Sequence, residues 1–215
     1  MARIGTLDPA VASTKDALVP GLSYKRGKMR STWDLFYSHL MKDEGTKYED
    51  DPDDSGGPTK CGVTIADVAR WNEVHLPARG EGDWDILVAK VKALTPESAA
   101  PIYKRYYWDE VLADELPAGV DYCVADYGVN SGVGRSKPTL EDLTGATPYD
   151  AAIKALDQLV IADVINAYQN TRRDYLISIS EPGHKNHKFR DGWLARVERV
   201  RNIALALDKQ AGGVV

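Results

Sequence analysis

No apolar run in the 215-residue chain approaches the length needed to cross a bilayer. The N-terminal stretch MARIGTLDPAVASTKDALVPGLSYKRGK lacks the continuous apolar segment of a secretory signal. Cysteine is scarce: Cys61 and Cys123 give neither a disulfide framework nor a metal-ligand spacing, and their small or apolar neighbours point to buried free thiols. Of the histidines, His184 and His187 lie in HKNH without a cysteine or acidic third ligand nearby, so the expectation is solvent-exposed side chains and no metal. A formal net charge of −5 and the absence of a recognised binding module argue against a nucleic-acid partner. Strand signals are missing outside about residues 48–63, which excludes a sheet-based architecture.

What remains suits a compact globular unit of one or two lobes, 43% hydrophobic and 27% charged. Its most informative stretch is WDLFYSHLMKDEGTKYEDDPDDSGGPTKCGVT, Trp33 to Thr64. Trp33, Phe36, Tyr37, Leu40 and Met41 recur at three- and four-residue steps, predicting a helix with one apolar face, and Glu44 falls on that face one step later. Gly45 is suited to ending this helix, and Gly56, Gly57 and Pro58 punctuate a turn-rich, hairpin-forming segment beyond it. A carboxyl group is thereby delivered to the edge of a core. The acidic run Asp51, Asp53, Ser55, Gly56 imitates the start of a calcium loop, but Gly62 stands where the closing glutamate is required.

Further helices are predicted in order. Thr64 with Asp67 resembles a capping box opening a helix through Trp71; Asp83 is placed to cap another containing Ile86, Leu87, Val91 and Leu94. Thr95-Pro96 starts the next, which carries Tyr103, Tyr106, Tyr107 and Trp108 as core aromatics, with a bend or late start at Pro101. Val120 to Gly132 is apolar nearly all round and predicts a buried helix, in which Asp126 is a hydrogen-bonded structural acid. Thr147-Pro148 opens one long helix through Ile153, Leu156, Leu159, Val160, Val164 and Tyr168. A final helix carries Trp193, Leu194, Val197, Val200, Ile203, Ala204 and Leu207 and ends before Gly212-Gly213.

The block EG-x-x-Y-x-x-DPDDSGG-x-T-x-x-GVT resembles the signature of glycoside hydrolase family 108, the peptidoglycan muramidases, usually EGGY-x-x-DP-x-D-x-GG-x-T-x-x-GIT. It departs at Thr46, which replaces the second glycine of EGG, and by one extra residue before Tyr48. VADYGVNSG (Val124 to Gly132) is similar to the family's VFDFAVNSG segment. RRDYL (Arg172 to Leu176) and FRDGWLARV (Phe189 to Val197) resemble its C-terminal peptidoglycan-binding-type part. Glu44, Asp53 and Thr59 also fall at the E-x8-D-x5-T spacing of the phage lysozymes of glycoside hydrolase family 24, whereas alignment through DP-x-D-x-GG selects Asp54 as the partner acid.

The resemblance implies a mainly α, lysozyme-like bilobed helical fold with one small β-hairpin near the active site. It divides the chain into a basic arm (1–30, six basic against two acidic residues), a catalytic region (31–145) and a C-terminal peptidoglycan-binding-type helical region (146–210) packed on it. It implies hydrolysis of the MurNAc-GlcNAc β-1,4 bond, with a single glutamate, Glu44, as general acid. Asp53 or Asp54, with Thr59, would position the attacking water, and Tyr48, Asn130 and Ser131 would contact substrate. Asn130-Ser131-Gly132 reads equally as helix-capping chemistry. An inverting glycosidase needs a second carboxylate across the sugar, and a glutamic acid holds its proton only where its surroundings favour the neutral form. Between Asp43 and Asp54 there are seven acids and one lysine. No cofactor or metal is expected, and the partner is bacterial peptidoglycan, met by a monomer without an integral membrane segment. Synthesis in a host cytoplasm without a signal peptide, holin-type release and host lysis complete the expectation. Its rivals are a lytic transglycosylase, a zinc amidase and a catalytically silent wall-binding or secretion-accessory protein.

Overall fold

The computed structural model describes residues 31–50 and 56–212. Among them are nine α-helices and one two-stranded antiparallel sheet. Helix α1 (Trp33–Glu44) buries Phe36 and Leu40 and ends at Gly45, whose φ of 71° a side chain would resist and whose N–H bonds back to the Met41 carbonyl at 3.1 Å. Strands β1 (Thr59–Lys60) and β2 (Val63–Thr64) pair Thr59 with Thr64 and Lys60 with Val63, and an isolated bridge joins Glu49 to Thr59. Two residues, Cys61 and Gly62, make the turn, both at positive φ (54° and 68°), as a tight hairpin requires. The cost at the non-glycine Cys61 is offset in part by the Tyr103 hydroxyl, which donates to the Cys61 carbonyl at 3.0 Å.

The anticipated caps form where they can close a hydrogen bond. Thr64 and Asp67 make a capping box on α2 (Ile65–Trp71), and Thr95 pairs with Ser98 in the same way on α4 (Pro96–Tyr103), with Pro96 in the first turn. Asp83 occupies the N-cap position of α3 (Trp84–Ala93) without a side-chain bond. Pro101 sits inside α4, and the chain then passes into a π-helical turn over Lys104–Trp108. Tyr103, Tyr106 and Trp108 are buried and Tyr107 packs against the core, so this aromatic run is core material.

Helix α5 (Val120–Ser131) is the central element, buried at every position from Val120 to Gly128. Both cysteines are free and buried, and burial pushes the Cys123 thiol up to about 12. The sequence pattern did not predict α6 (Val133–Thr144), whose buried residues are Ser136, Thr139 and Leu140. A second correction concerns the single helix expected after Thr147-Pro148. The chain instead forms α7 (Tyr149–Ala155), a 3-10 turn (Leu156–Gln158) and α8 (Ile161–Ser178). Leu156 and Ile161 are both buried while Val160 is exposed. A continuous helix would put Val160 on the face of Leu156 and rotate Ile161 away, so the break is what lets both enter the core.

The last helix, α9 (Arg190–Gln210), buries Val197, Val200, Ala204 and Leu207. It packs on α8, where Arg201 bonds Asn166 and Asn170, and on α5. One connected core runs from Phe36 in α1 to Leu207 in α9. The fold is mainly α, with the hairpin set beside the end of α1. Among the described residues no helix is long and apolar enough to cross a membrane.

Candidate functional site

Helices α1 and α5 run parallel, with Thr32 bonded to Asp121 at one end and Tyr122 against Phe36 and His39 along the way. Helix α9 runs antiparallel to both. Gly119 of α5 abuts the backbone of Ala204, whereas Asp126 meets Arg196; Arg199 meets Asp43, whereas Arg196 meets Glu44. The C-terminal ends of α1 and α5 therefore gather with the N-terminal end of α9. Glu44 is at that meeting point.

Three groups surround its carboxyl, one of them bonded to it. Arg196 Nη1 lies 3.4 Å from Glu44 Oε1. Gly62, at the tip of the hairpin, lies against the other oxygen: a Cβ there would stand 2.8 Å from Glu44 Oε2 and 2.3 Å from the Tyr103 hydroxyl, so only glycine fits. The Tyr103 hydroxyl is pushed up in pKa by burial first and by the negative charge of Glu44 second, which keeps it a proton donor. Burial, then Asp67 and Glu44, act on Tyr107 in the same direction, against Arg70. The Glu44 side chain is 26% exposed, neither sealed in the core nor free in solvent.

Arg196 is itself anchored. Its Nε and Nη2 grip Asp126 as a fork, with Nη2 to Oδ2 at 2.8 Å and Nε to the two oxygens at 3.1 and 3.2 Å. The fully buried Arg172 adds an ion contact, Nη1 to Asp126 Oδ1 at 2.7 Å, without the alignment of a hydrogen bond. Burial alone would raise the Asp126 carboxyl, but the guanidinium groups of Arg172 and Arg196 win and hold it below the ordinary carboxylate value. Burial would likewise discharge Arg196, yet Asp126, with Glu44 and Asp43 adding to it, moves its pKa upward instead. Asp126 is thus the buried structural acid expected, and it also supports the cation that touches Glu44.

The other residues singled out in the sequence are placed as follows. Asp53 and Asp54 lie outside the described residues. Thr59 is in β1, where its hydroxyl donates to the Gly57 carbonyl at 2.9 Å and its backbone exchanges two bonds with Glu49. The Tyr48 hydroxyl donates to Asp50 at 3.2 Å, and Lys92 Nζ sits 5.1 Å from the centre of its ring. Asp50 is paired with Arg79. Asn130 and Ser131 end α5 one turn beyond Asp126, at the Glu44 end of the bundle, with the Ser131 hydroxyl donating to Asn130 Oδ1 at 3.2 Å. His187 Nδ1 is 3.0 Å from the Ser180 carbonyl and His184 Nδ1 accepts the Asn186 N–H. Among the described residues no group of three or more His, Cys, Asp or Glu is placed to hold a metal ion.

Sequence reasoning missed Arg196, Tyr103 and Gly62 as neighbours of Glu44. Gly62 had a signal, since a glycine between a cysteine and a β-branched valine invites a tight turn. Arg196 had none beyond lying in a basic stretch, because its partners are 70 and 152 residues away. Chemically, the arrangement presents a half-open carboxyl oriented by a partly buried cation on one oxygen, with a phenol and a bare backbone near the other.

A family model described as Glycosyl hydrolase 108 matches residues 37–132, which take in Glu44, the hairpin, Tyr103 and all of α5 up to Gly132. Among solved structures, SagA of Brucella abortus is 32% identical and superposes with a TM-score of 0.66, covering 82% of this chain and 95% of SagA. None of the curated proteins matches. The matched segment, the coverage of SagA and the fold agree, and the chain belongs to glycoside hydrolase family 108, the peptidoglycan hydrolases.

Proposed function

We propose that this hydrolase is an N-acetylmuramidase in which Glu44 is the single general acid, protonating the glycosidic oxygen of the MurNAc-GlcNAc β-1,4 bond. The observation that carries this reading is the setting of Glu44 at a gathering of three helix ends, gripped on one oxygen by Arg196 and bounded by Gly62 and Tyr103 on the other. A general acid must be aimed before it can deliver a proton, and the fork of Arg196 on Asp126 supplies a rigid mount.

The second half of the reaction falls to Asp53 or Asp54, one of which activates the attacking water, with Thr59 holding that water. The Thr59 hydroxyl already spends its proton on the Gly57 carbonyl and so offers lone pairs to a water molecule. An inverting reaction needs its second carboxylate far enough from the acid to leave room for a water, and inversion at the anomeric centre is the outcome this division of roles predicts. Tyr48, Asn130 and Ser131 contact the strand. Residues 31–145 form the catalytic region, and residues 146–210 serve as a wall-binding region that also lends Arg196 to the site. The protein acts as a monomer in phage-type host lysis, reaching the wall through a holin-type opening.

Digestion of purified sacculi in water enriched in oxygen-18 tests the reaction. Muropeptides carrying one heavy oxygen at a muramic reducing end are the expected product. Anhydromuramic products without it would identify a transglycosylase, and free peptides an amidase.

A further inference from the structure

Phe189 and Trp193 stack on each other at the start of α9, with ring centroids 5.7 Å apart and planes 25° from parallel. Phe189 is 47% exposed. Among the described residues, neither ring belongs to the hydrophobic core or to the partly buried residues packed against it. The pair therefore contributes little to holding the fold together, while leaving aromatic surface in water.

Its position gives that surface a use. Along α9, Arg199 pairs with Asp43 and Arg196 with Glu44, so each step towards the N-terminus moves from α1 out past its end. Trp193 precedes Arg196 by one helical turn, about 5 Å, and lies on the stripe that carries Arg196, since residues three apart share a face. Phe189, the N-cap residue of α9 at the end of the 3-10 turn His187–Phe189, stacks on Trp193 just beyond it. Asn130 and Ser131 end α5 on the same side of the bundle. Lys188 Nζ lies 4.9 Å from the centre of the Phe189 ring and gives the platform a cationic edge.

We propose that Phe189 and Trp193 form a glycan-binding subsite, on which the apolar C–H face of an N-acetylated amino sugar stacks while a neighbouring bond of the same strand lies at Glu44. Aromatic rings suit this task because they offer a large rigid apolar face with little entropy to lose. The peptide carboxylates of the strand match the Lys188 edge. This assignment rests on the reading of Glu44 as the acid.

The test is steady-state kinetics of the full chain on soluble, uncross-linked glycan strands, comparing the parent with Phe189→Ala, Trp193→Ala and Trp193→Phe. The subsite predicts that KM rises about tenfold in each alanine variant, with kcat changed by less than about twofold, because a contact made equally in ground and transition states is lost. Trp193→Phe stays close to the parent. If Trp193→Ala lowers the melting temperature, the exposed Phe189→Ala carries the test. Unchanged KM in Phe189→Ala, or a fall in kcat with KM kept, overturns the subsite. Unchanged KM together with a shift from dimer to monomer on sedimentation would instead assign the pair to contact with a second copy of the chain. Glu44→Gln is run alongside: if it is inactive while the alanine variants match the parent, only the subsite fails, and if it is active the reading of Glu44 fails.

Discussion

Two buried aspartates on one helix have opposite fates. Asp121 sits in the first turn of α5 and is met only by neutral donors: the Gly119 N–H at 2.7 Å, the Tyr122 N–H at 2.6 Å and the Thr32 hydroxyl. Burial outweighs these bonds and pushes its carboxyl up to about 6. Asp126, further along α5, is as deeply buried, yet the guanidinium groups of Arg172 and Arg196 hold its pKa down. Dipoles reduce the cost of burying a charge, whereas full cations reverse it. Asp121 ties the start of α5 to the start of α1, and Asp126 ties α5 to α8 and α9. Only the second link continues to Glu44.

Breaking the stronger link has the largest expected effect on stability. Asp126→Ala leaves the fully buried Arg172 without its anion and removes the fork that anchors Arg196, so urea unfolding should show a loss of about 3–5 kcal/mol. A change below roughly 1 kcal/mol would mean that the two arginines find other partners.

Asp121→Asn sharpens the comparison through pH. A carboxyl that titrates at about 6 in the fold, against 3.8 ordinarily, binds its proton more tightly in the folded protein. The stability it contributes is fully present below the ordinary value and is lost as pH rises through about 6. Relative to the parent, Asp121→Asn should therefore gain up to about 3 kcal/mol between roughly pH 4 and pH 7, read from denaturation midpoints across that range. Asp126 contributes with the opposite sign. Its stabilisation is present above the ordinary carboxylate value and is lost as pH falls through its depressed value, and Asp121→Asn leaves that acid limb in place.

Arg196→Gln separates the two roles of the Asp126 cluster. Arg172 remains to neutralise Asp126, but the mount of Glu44 is gone. Initial rates on soluble glycan strands should fall roughly 10- to 100-fold, with the loss in kcat rather than KM. Arg196→Lys keeps a charge but not the fork and should recover only part of it. A loss confined to KM would make Arg196 a substrate ligand instead of a positioning residue.

How much of this was legible in the sequence follows from the range of the interactions. The α1 stripe, the Thr64 and Thr95 caps and the buried α5 are local patterns, and each formed where its residues predicted it. Helix α6 was hidden because it buries hydroxyls. Thr139 returns its hydroxyl to the Arg135 carbonyl and Ser136 offers its carbonyl to Tyr168, so no apolar stripe announces the helix, and Pro138 reads as a breaker. The split between α7 and α8 was hidden because one stripe fits Leu156 and Val160 until tertiary packing demands Ile161 as well. At the site, Glu44 stood out from its place after an apolar face and from the surrounding motif. Its mount did not, because the link from Asp126 to Arg196 to Glu44 joins three helices far apart in the chain.

The decisive measurement is the rate at which equal amounts of folded parent and Glu44→Gln clear a suspension of purified sacculi. Glutamine keeps the shape and a bond partner for Arg196 but cannot deliver a proton, so the variant should lose activity by a factor on the order of 100 to 10,000 while melting near the parent temperature. Clearing by Glu44→Gln at close to the parent rate would contradict the assignment of the acid.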